Sequence, residues 1–328
     1  MTDSLQALAR EIARELAAAD LARGAPPTEQ DTASRNALLH PSIPSHTISA
    51  AATGLASSPG APTTAAPPGV TFVRANARIA DFIDHTLLKA EATSAEVDKL
   101  CDEAREHRFA AVCVNPVWVT RCAERLRGTP VQVATVIGFP LGANDAETKR
   151  REAALAVAHG ATELDMVVAL GHVKRGDWNH VADDIAAVVE GAAGTLVKVI
   201  IESAALTPVE IIKTCAIARE MRAQYVKTST GFHAAGGATA EAVALMRLVV
   251  GDAMGVKASG GVRDCEAALR MIMSGATRIG TSSGVSMAKC LGQGPLPLHD
   301  LLSLASSHSP TCASCSPVSA RDGSPGTY

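Results

Sequence analysis

The sequence predicts an α/β fold, a closed (β/α)8 barrel of the TIM type, flanked by a disordered N-terminal extension and a flexible C-terminal tail. Eight short apolar runs recur along the central part of the chain, separated by longer stretches with helical apolar spacing. Polar or glycine-rich clusters follow several of these runs, the position where barrel enzymes carry their sites. Three of the runs are also interrupted by a charge, at Asp165, Lys198 and Lys227, which a purely structural strand rarely tolerates.

In chain order, Leu5, Leu8, Ile12 and Leu16 recur at helical spacing and predict an amphipathic helix within residues 1–24. Residues 25–70 are rich in Ala, Ser, Thr and Pro, with Pro26-Pro27, Pro59-Gly60 and Pro67-Pro68, and read as a disordered linker. The barrel is expected over 71–305 and a flexible tail over 306–328. Strands are expected near 80–84, 110–114, 131–137, 162–168, 196–202, 224–229, 254–258 and 276–280. Helices are expected over 94–107, 145–159, 178–191, 208–222, 239–250 and 263–274, several opening on Ser, Thr, Asp or Pro.

Composition narrows the function classes. A net charge of −3 gives no basic field for nucleic acid or anionic membrane, so a small-molecule substrate is expected. No apolar run reaches the length of about 18 residues that a spanning helix needs. The N-terminus lacks a secretory apolar core, and Asp3, Glu11 and Glu15 argue against a mitochondrial transit peptide, so a cytoplasmic location is expected. The eight cysteines are scattered, as for reduced thiols. Cys312 and Cys315 form one pair in the tail with only His308 nearby, so no metal is expected.

Strand alternation places Lys198, Ile200 and Glu202 on one face and Val197, Val199 and Ile201 on the other. The second face suits packing under helices, and the first suits the lining of a polar barrel interior. A lysine desolvated beside another cation becomes a nucleophile toward carbonyls, so the pattern points to imine chemistry. Gly260-Gly261 after the seventh run and Gly280, Ser282 and Ser283 at the eighth expose backbone N–H groups close to helix N-termini, and together read as a phosphate cradle.

These residues also carry a resemblance. Ile83-Asp84-His85-Thr86-Leu87-Leu88-Lys89, Cys113-Val114-Asn115-Pro116 and Val136-Ile137-Gly138-Phe139-Pro140-Leu141-Gly142 come first. Glu163-Leu164-Asp165-Met166-Val167-Val168, Lys198-Val199-Ile200-Ile201-Glu202 and Val226-Lys227-Thr228-Ser229-Thr230-Gly231-Phe232 follow. In this order they resemble the deoxyribose-phosphate aldolase family over nearly the whole barrel body. Where the related motif often reads Leu-Lys-Pro, this chain has Ala90.

The resemblance implies reversible, metal-free and cofactor-free cleavage of 2-deoxy-D-ribose 5-phosphate to acetaldehyde and glyceraldehyde 3-phosphate. It implies Lys198 as the imine-forming lysine, Lys227 as the second active-site lysine and Asp165 as the proton-relaying acid, with Gly231 joining the substrate-binding set. Burial and a neighbouring Lys227 ammonium are both expected to lower the Lys198 pKa. Asp84 has two readings, orienting substrate hydroxyls or capping the next turn. Cys113 reads as core, within reach of a reactive aldehyde, while Lys257 reads as structural, a candidate partner for Glu202. Tyr328, at the end of the tail, either joins the proton relay at the barrel mouth or is a chance terminal residue. Two alternatives stay open: another imine-forming phosphosugar aldolase or transaldolase, and a non-catalytic phosphosugar-binding barrel. Self-association is the partner expected besides the sugar phosphate.

Overall fold

A computed structural model describes residues 76–307 apart from Gln293. The helix expected in 1–24, the linker over 25–70, and Cys312, Cys315 and Tyr328 lie outside the described residues. Eight parallel strands close into a barrel. They are numbered β1 to β8 in chain order: Ile83–Leu87, Ala111–Val114, Gln132–Ile137, Glu163–Val167, Leu196–Ile200, Tyr225–Lys227, Gly255–Ser259 and Arg278–Thr281. Pairing of Ile83 with Ile279 and of Asp84 with Gly280 closes the ring between β1 and β8.

Alternation decides which residues meet helices and which meet one another. Val112, Val114, Leu164, Met166, Val197, Val199, Val226, Val256 and Ile279 point outward into the apolar layer beneath the helices. Each such aliphatic side chain contributes roughly 1.5–3 kcal/mol on burial. Their inward neighbours on β4 to β8 are Glu163, Asp165, Lys198, Lys227, Lys257 and Arg278, so the same alternation that builds the outer core fills the interior with charge.

The helices are numbered in the same way: α1 Ser94–His107, α2 Val119–Arg125, α3 Ala146–Ala158, α4 Leu170–Arg175, α5 Trp178–Gly191, α6 Pro208–Glu220, α7 Ala240–Val250, α8 Cys265–Met273, α9 Gly284–Leu291 and α10 Leu298–Ser307. Thr93, Asp145, Asp177, Thr207, Thr239 and Asp264 accept backbone N–H groups at the starts of α1, α3, α5, α6, α7 and α8. Each cap is worth about 1 kcal/mol. Glu96 and Glu210 reach back to close capping boxes at α1 and α6. These fixed starts limit how far each strand-to-helix loop can wander at the barrel mouth. Trp118 and Trp178 pack against the core as expected of helix-packing aromatics.

The first strand differs from its expected position. Residues 79–82 form a 3-10 turn, and β1 starts only at Ile83. Ile79, Ala80 and Phe82 are all buried, a pattern that alternation cannot produce but a tight turn can. Short α2 and α4 and a two-residue antiparallel ribbon joining Asn76–Ala77 to Leu296–Pro297 were not expected, being too brief to carry a clear period, and neither were α9 and the final α10.

Behind the strands lies a buried ion pair. Lys149 on α3 donates to Asp184 on α5 at 2.8 Å to each carboxylate oxygen and to the Val167 carbonyl at the end of β4 at 2.9 Å. The Ala169 N–H donates to Asp184 at 2.9 Å. No helix among the described residues is long and apolar enough to cross a membrane.

Candidate active site

The barrel interior has two unlike halves. On β2 and β3, Ala111, Cys113, Ala134 and Val136 form an apolar patch with Leu88, capped by Phe139 and Phe232, whose rings meet edge to face at 5.2 Å. Burial pushes the Cys113 thiol above its ordinary pKa, so it is core and not a thiolate. The other half, from β4 round to β1, is a network of buried charges.

Asp165 is its hub. One carboxylate oxygen accepts from Lys198 at 2.7 Å, and the other accepts from Lys227 at 2.9 Å and Lys257 at 2.8 Å. Lys198 donates in addition to Glu163 at 2.6 Å. The Lys257 amine lies 2.6 Å from Asp84, and Arg278 forks between Asp84 and Glu163, meeting the latter at 2.8 Å. Strand pairing explains this convergence. Asp165 stands opposite Lys198 across the β4–β5 ladder, Ile200 opposite Lys227, and Lys227 opposite Lys257, so inward side chains of four adjacent strands reach one point.

The electrostatics depart from expectation in one respect. Burial drives the Lys198 amine down, but Asp165 and Glu163 outweigh it and hold its pKa above the ordinary lysine value. Burial likewise drives Lys257 down, and Asp165 with Asp84 more than reverses this. At Lys227 burial prevails over the single partner Asp165, and its pKa falls below the ordinary value. The lysine with a lowered pKa is therefore Lys227, where the sequence had suggested Lys198. The reason is Glu163, a second carboxylate on Lys198 that the sequence reading did not weigh. Burial raises the Asp165 carboxyl, yet three surrounding lysines bring it well below the ordinary carboxylate range.

Asp84 lies inside β1, fully buried and paired with Arg278 and Lys257. It therefore caps no turn. Lys257 engages Asp165 and Asp84 rather than Glu202. Glu202, held at a left-handed φ of 55°, instead accepts from the Thr230 N–H and hydroxyl, tying the end of β5 to the loop after β6. His85 faces the helices and bonds Glu103 at 2.7 Å, as a packed histidine should.

At the mouth Gly231, Gly237 and Gly260 lie together, and Gly280 does not join them. Gly231, Gly260 and Gly261 have φ between 82° and 86°, a region that L side chains rarely adopt. A Cβ on Gly260 would lie 2.9 Å from the Gly237 Cα and 3.6 Å from that of Gly231, so three backbones converge over β6 and β7. Ser282 and Ser283 follow β8, and Thr281 ties that end to the Val262 carbonyl at 2.7 Å. Gly280 is different. It sits within β8, where a Cβ would press on Ser259 at 2.9 Å and on the Lys257 side chain at 3.1 Å, so it makes room for a lysine below the loops.

Sequence reasoning passed over Glu163, Arg278, Glu202 and Gly237 as site residues. Glu163 and Arg278 each lie two residues before a recognised inward position, Asp165 and Gly280, so the period of two could have found them. Gly237 could not be found that way, because its near-contact with the Gly260 carbonyl is made between loops. Among the described residues, His172, Asp177 and His180 group closely enough to suggest a cation site. Their mutual bonding accounts for the cluster: His172 meets Asp177 at 3.0 Å, the imidazoles stack at 3.5 Å, and Asp177 caps α5.

Residues 78–289 match the family model described as DeoC/LacD family aldolase. The chain is 57% identical over 216 residues to a deoxyribose-phosphate aldolase of Brevibacillus brevis, covering 65% of this chain and 97% of the relative. It is 54% identical over 220 residues to the enzyme of that name from Thermotoga maritima, covering 66% and 88%. A solved structure of deoxyribose phosphate aldolase from Aeropyrum pernix, described as having a unique tetrameric structure, superposes with a TM-score of 0.60. It has 34% identity and covers 64% of this chain and 89% of that one.

Proposed function

The chain belongs to the DeoC/LacD aldolase family, and from that premise we propose that it cleaves 2-deoxy-D-ribose 5-phosphate reversibly to acetaldehyde and D-glyceraldehyde 3-phosphate through an imine on Lys198. The observation that carries this reading is Asp165, one carboxylate shared by the amines of Lys198, Lys227 and Lys257 in the barrel interior. A structural ion pair needs one lysine, whereas imine chemistry needs one amine to attack while another group takes its proton.

Lys198 hands a proton through Asp165 toward Lys227, and the amine so freed adds to the C1 aldehyde of the open-chain sugar. The carbinolamine hydroxyl takes up a proton and leaves as water, giving the iminium. The C3 hydroxyl then loses a proton, the C2–C3 bond breaks, and its electron pair moves into the iminium, yielding an enamine and glyceraldehyde 3-phosphate. Protonation at C2 and addition of water release acetaldehyde and restore the amine. Asp165, working through Lys227 and a water molecule, is the group that shuttles these protons.

Gly231, Gly260, Gly261, Ser282 and Ser283 are proposed to hold the 5-phosphate through backbone N–H groups and hydroxyls at the mouth. Gly261→Val would strain a residue at φ 82° and is expected to raise KM for the phosphorylated sugar while leaving cleavage of unphosphorylated deoxyribose unchanged. An equal loss on both sugars would remove the phosphate assignment. The substrate places the reaction in deoxyribonucleotide breakdown, and the six free cysteines among the described residues support a reducing, cytoplasmic setting. A homo-oligomer is the assembly proposed, on the precedent of the Aeropyrum pernix structure.

One observation favours a second reading. Lys227, not Lys198, has the lowered pKa, and it lies at the last residue of its strand, toward the mouth. Borohydride reduction in the presence of acetaldehyde, followed by peptide mapping, separates the two. A label on Lys198 is expected, a label on Lys227 reverses the roles, and no label on either removes the imine.

A further inference from the structure

Arg278 enters the charged half from below. It is the first residue of β8, its side chain is 12% exposed, and it holds Asp84 and Glu163 through separate arms of its guanidinium. Those two carboxylates are the other partners of Lys257 and Lys198. With every lysine protonated and every acid ionised, the cluster has four cations, Lys198, Lys227, Lys257 and Arg278, against three carboxylates, Asp84, Glu163 and Asp165. An excess of one positive charge in a buried site is costly, and the cheapest relief is the loss of a proton from one lysine. Arg278 cannot supply that proton, because guanidinium stays charged under all relevant conditions. Of the other charged groups at the base, Arg78 is paired with Asp81 and Arg108 is exposed to solvent, while the Cys113 thiol on β2 is pushed up by burial and adds no charge.

We propose that Arg278 is a positioning residue for the imine chemistry: by occupying Asp84 and Glu163 at the barrel base, it sets the charge excess that keeps one lysine amine unprotonated at neutral pH. Without it, three lysines would face three carboxylates and every amine could keep its proton. The inference rests on the imine reading above and adds to it the source of the free base. It also gives the barrel base a role in chemistry performed at the mouth, with Lys198 and Asp165 as the link between them.

The base is accessible for a direct test. Arg278 lines a cavity of about 370 Å³ at the N-terminal ends of the strands, together with Arg78, Asp81, Arg108, Pro130 and Gln132. The experiment compares native protein with Arg278→Ala, measuring the rate of borohydride-trapped acetaldehyde adduct from neutral to alkaline pH. Loss of a like charge moves a nearby amine pKa by about 1–3 units. The variant is therefore expected to label slowly at neutral pH, by roughly tenfold for each unit, and to regain the native rate once the pH is raised. Guanidinium ion, kept below unfolding concentrations, is expected to enter the emptied base and restore the native midpoint; urea, its uncharged counterpart, is not. A variant equally slow at every pH, or rescued equally by urea, overturns the proposal. Should the alanine chain fail to fold, Arg278→Gln carries the test: it keeps a hydrogen-bond donor toward the two carboxylates but not the charge, so its midpoint is expected to rise, and a native midpoint overturns the assignment. Native protein that gives no adduct removes the imine reading itself before Arg278 is altered.

Discussion

Two assemblies of buried lysine and carboxylate stand a few residues apart along β4, and they are built on opposite plans. Outside the barrel, Lys149 and Asp184 are matched one to one, and the Val167 carbonyl and Ala169 N–H complete their hydrogen bonding. Inside it, Asp165 is shared by three lysines, and cations outnumber carboxylates. Both Lys149 and Lys198 are fully buried, so burial alone does not tell a strut from the amine proposed to form the imine. What distinguishes them is whether the charge is balanced locally. A closed pair has no reason to move a proton, whereas a shared carboxylate with an excess amine has a low-cost place to put one.

Lys198→Arg gives the sharpest break of this contrast. The charge and most of the packing remain, but a guanidinium forms no imine, so turnover is expected to fall to background while the melting temperature changes little. Retained turnover would show that Lys198 is a strut like Lys149. Next in size is Asp165→Asn, which keeps the shape of the hub and removes its proton exchange. Turnover is expected to drop by about 10²–10⁴-fold, with substrate affinity affected far less, as measured by kcat and KM separately.

Lys149→Met should act in the opposite sense. Leaving Asp184 buried without its cation is expected to cost about 3–5 kcal/mol in denaturant unfolding, while adduct formation persists in the folded fraction. Adding Asp184→Leu is expected to recover much of that stability, since an apolar pair can replace a balanced ion pair. If the double variant were as unstable as the single, the pair would be more than a strut.

The smallest effect concerns acid stability, where the two assemblies should carry opposite signs. Asp165 is held well below the ordinary range, so its contribution is present above the unfolded value near 3.9 and is lost as pH falls toward its folded value. Burial raises Asp184, so the folded state binds its proton more readily than the unfolded chain, and that contribution weakens as pH rises from the unfolded value toward the raised folded one. Unfolding free energies measured from below to above about pH 3.9 are expected to show Asp165→Asn changing the slope on the acid side and Asp184→Asn changing it in the opposite direction on the other side. Slopes that change alike would mean that the surroundings of the two carboxylates are not so different.

Much of this was legible in the chain because period and composition are local. The alternation Val197-Lys198-Val199 fixes an outward aliphatic face and an inward amine whatever the rest of the fold does, and eight such runs between helical stretches leave few architectures besides a barrel. The same reasoning put Lys198, Lys227 and Asp165 on interior faces, and these three do meet. It lost the first strand by three residues, because Ile79, Ala80 and Phe82 are as apolar as a strand but are buried by a turn.

The sequence by itself determined the barrel, its inward charges and the capped helix starts, since each follows from residues close together in the chain. Only the tertiary structure decided which charge faces which. Glu163 reaches Lys198 across one strand boundary, and Arg278 reaches Asp84 and Glu163 from β8 across sequence separations of 194 and 115 residues. A pKa depends on the sum of such neighbours within a few ångströms in a medium that screens poorly. That sum exists only once the sheet has closed, which is why the lysine with the lowered pKa could not be named from the sequence.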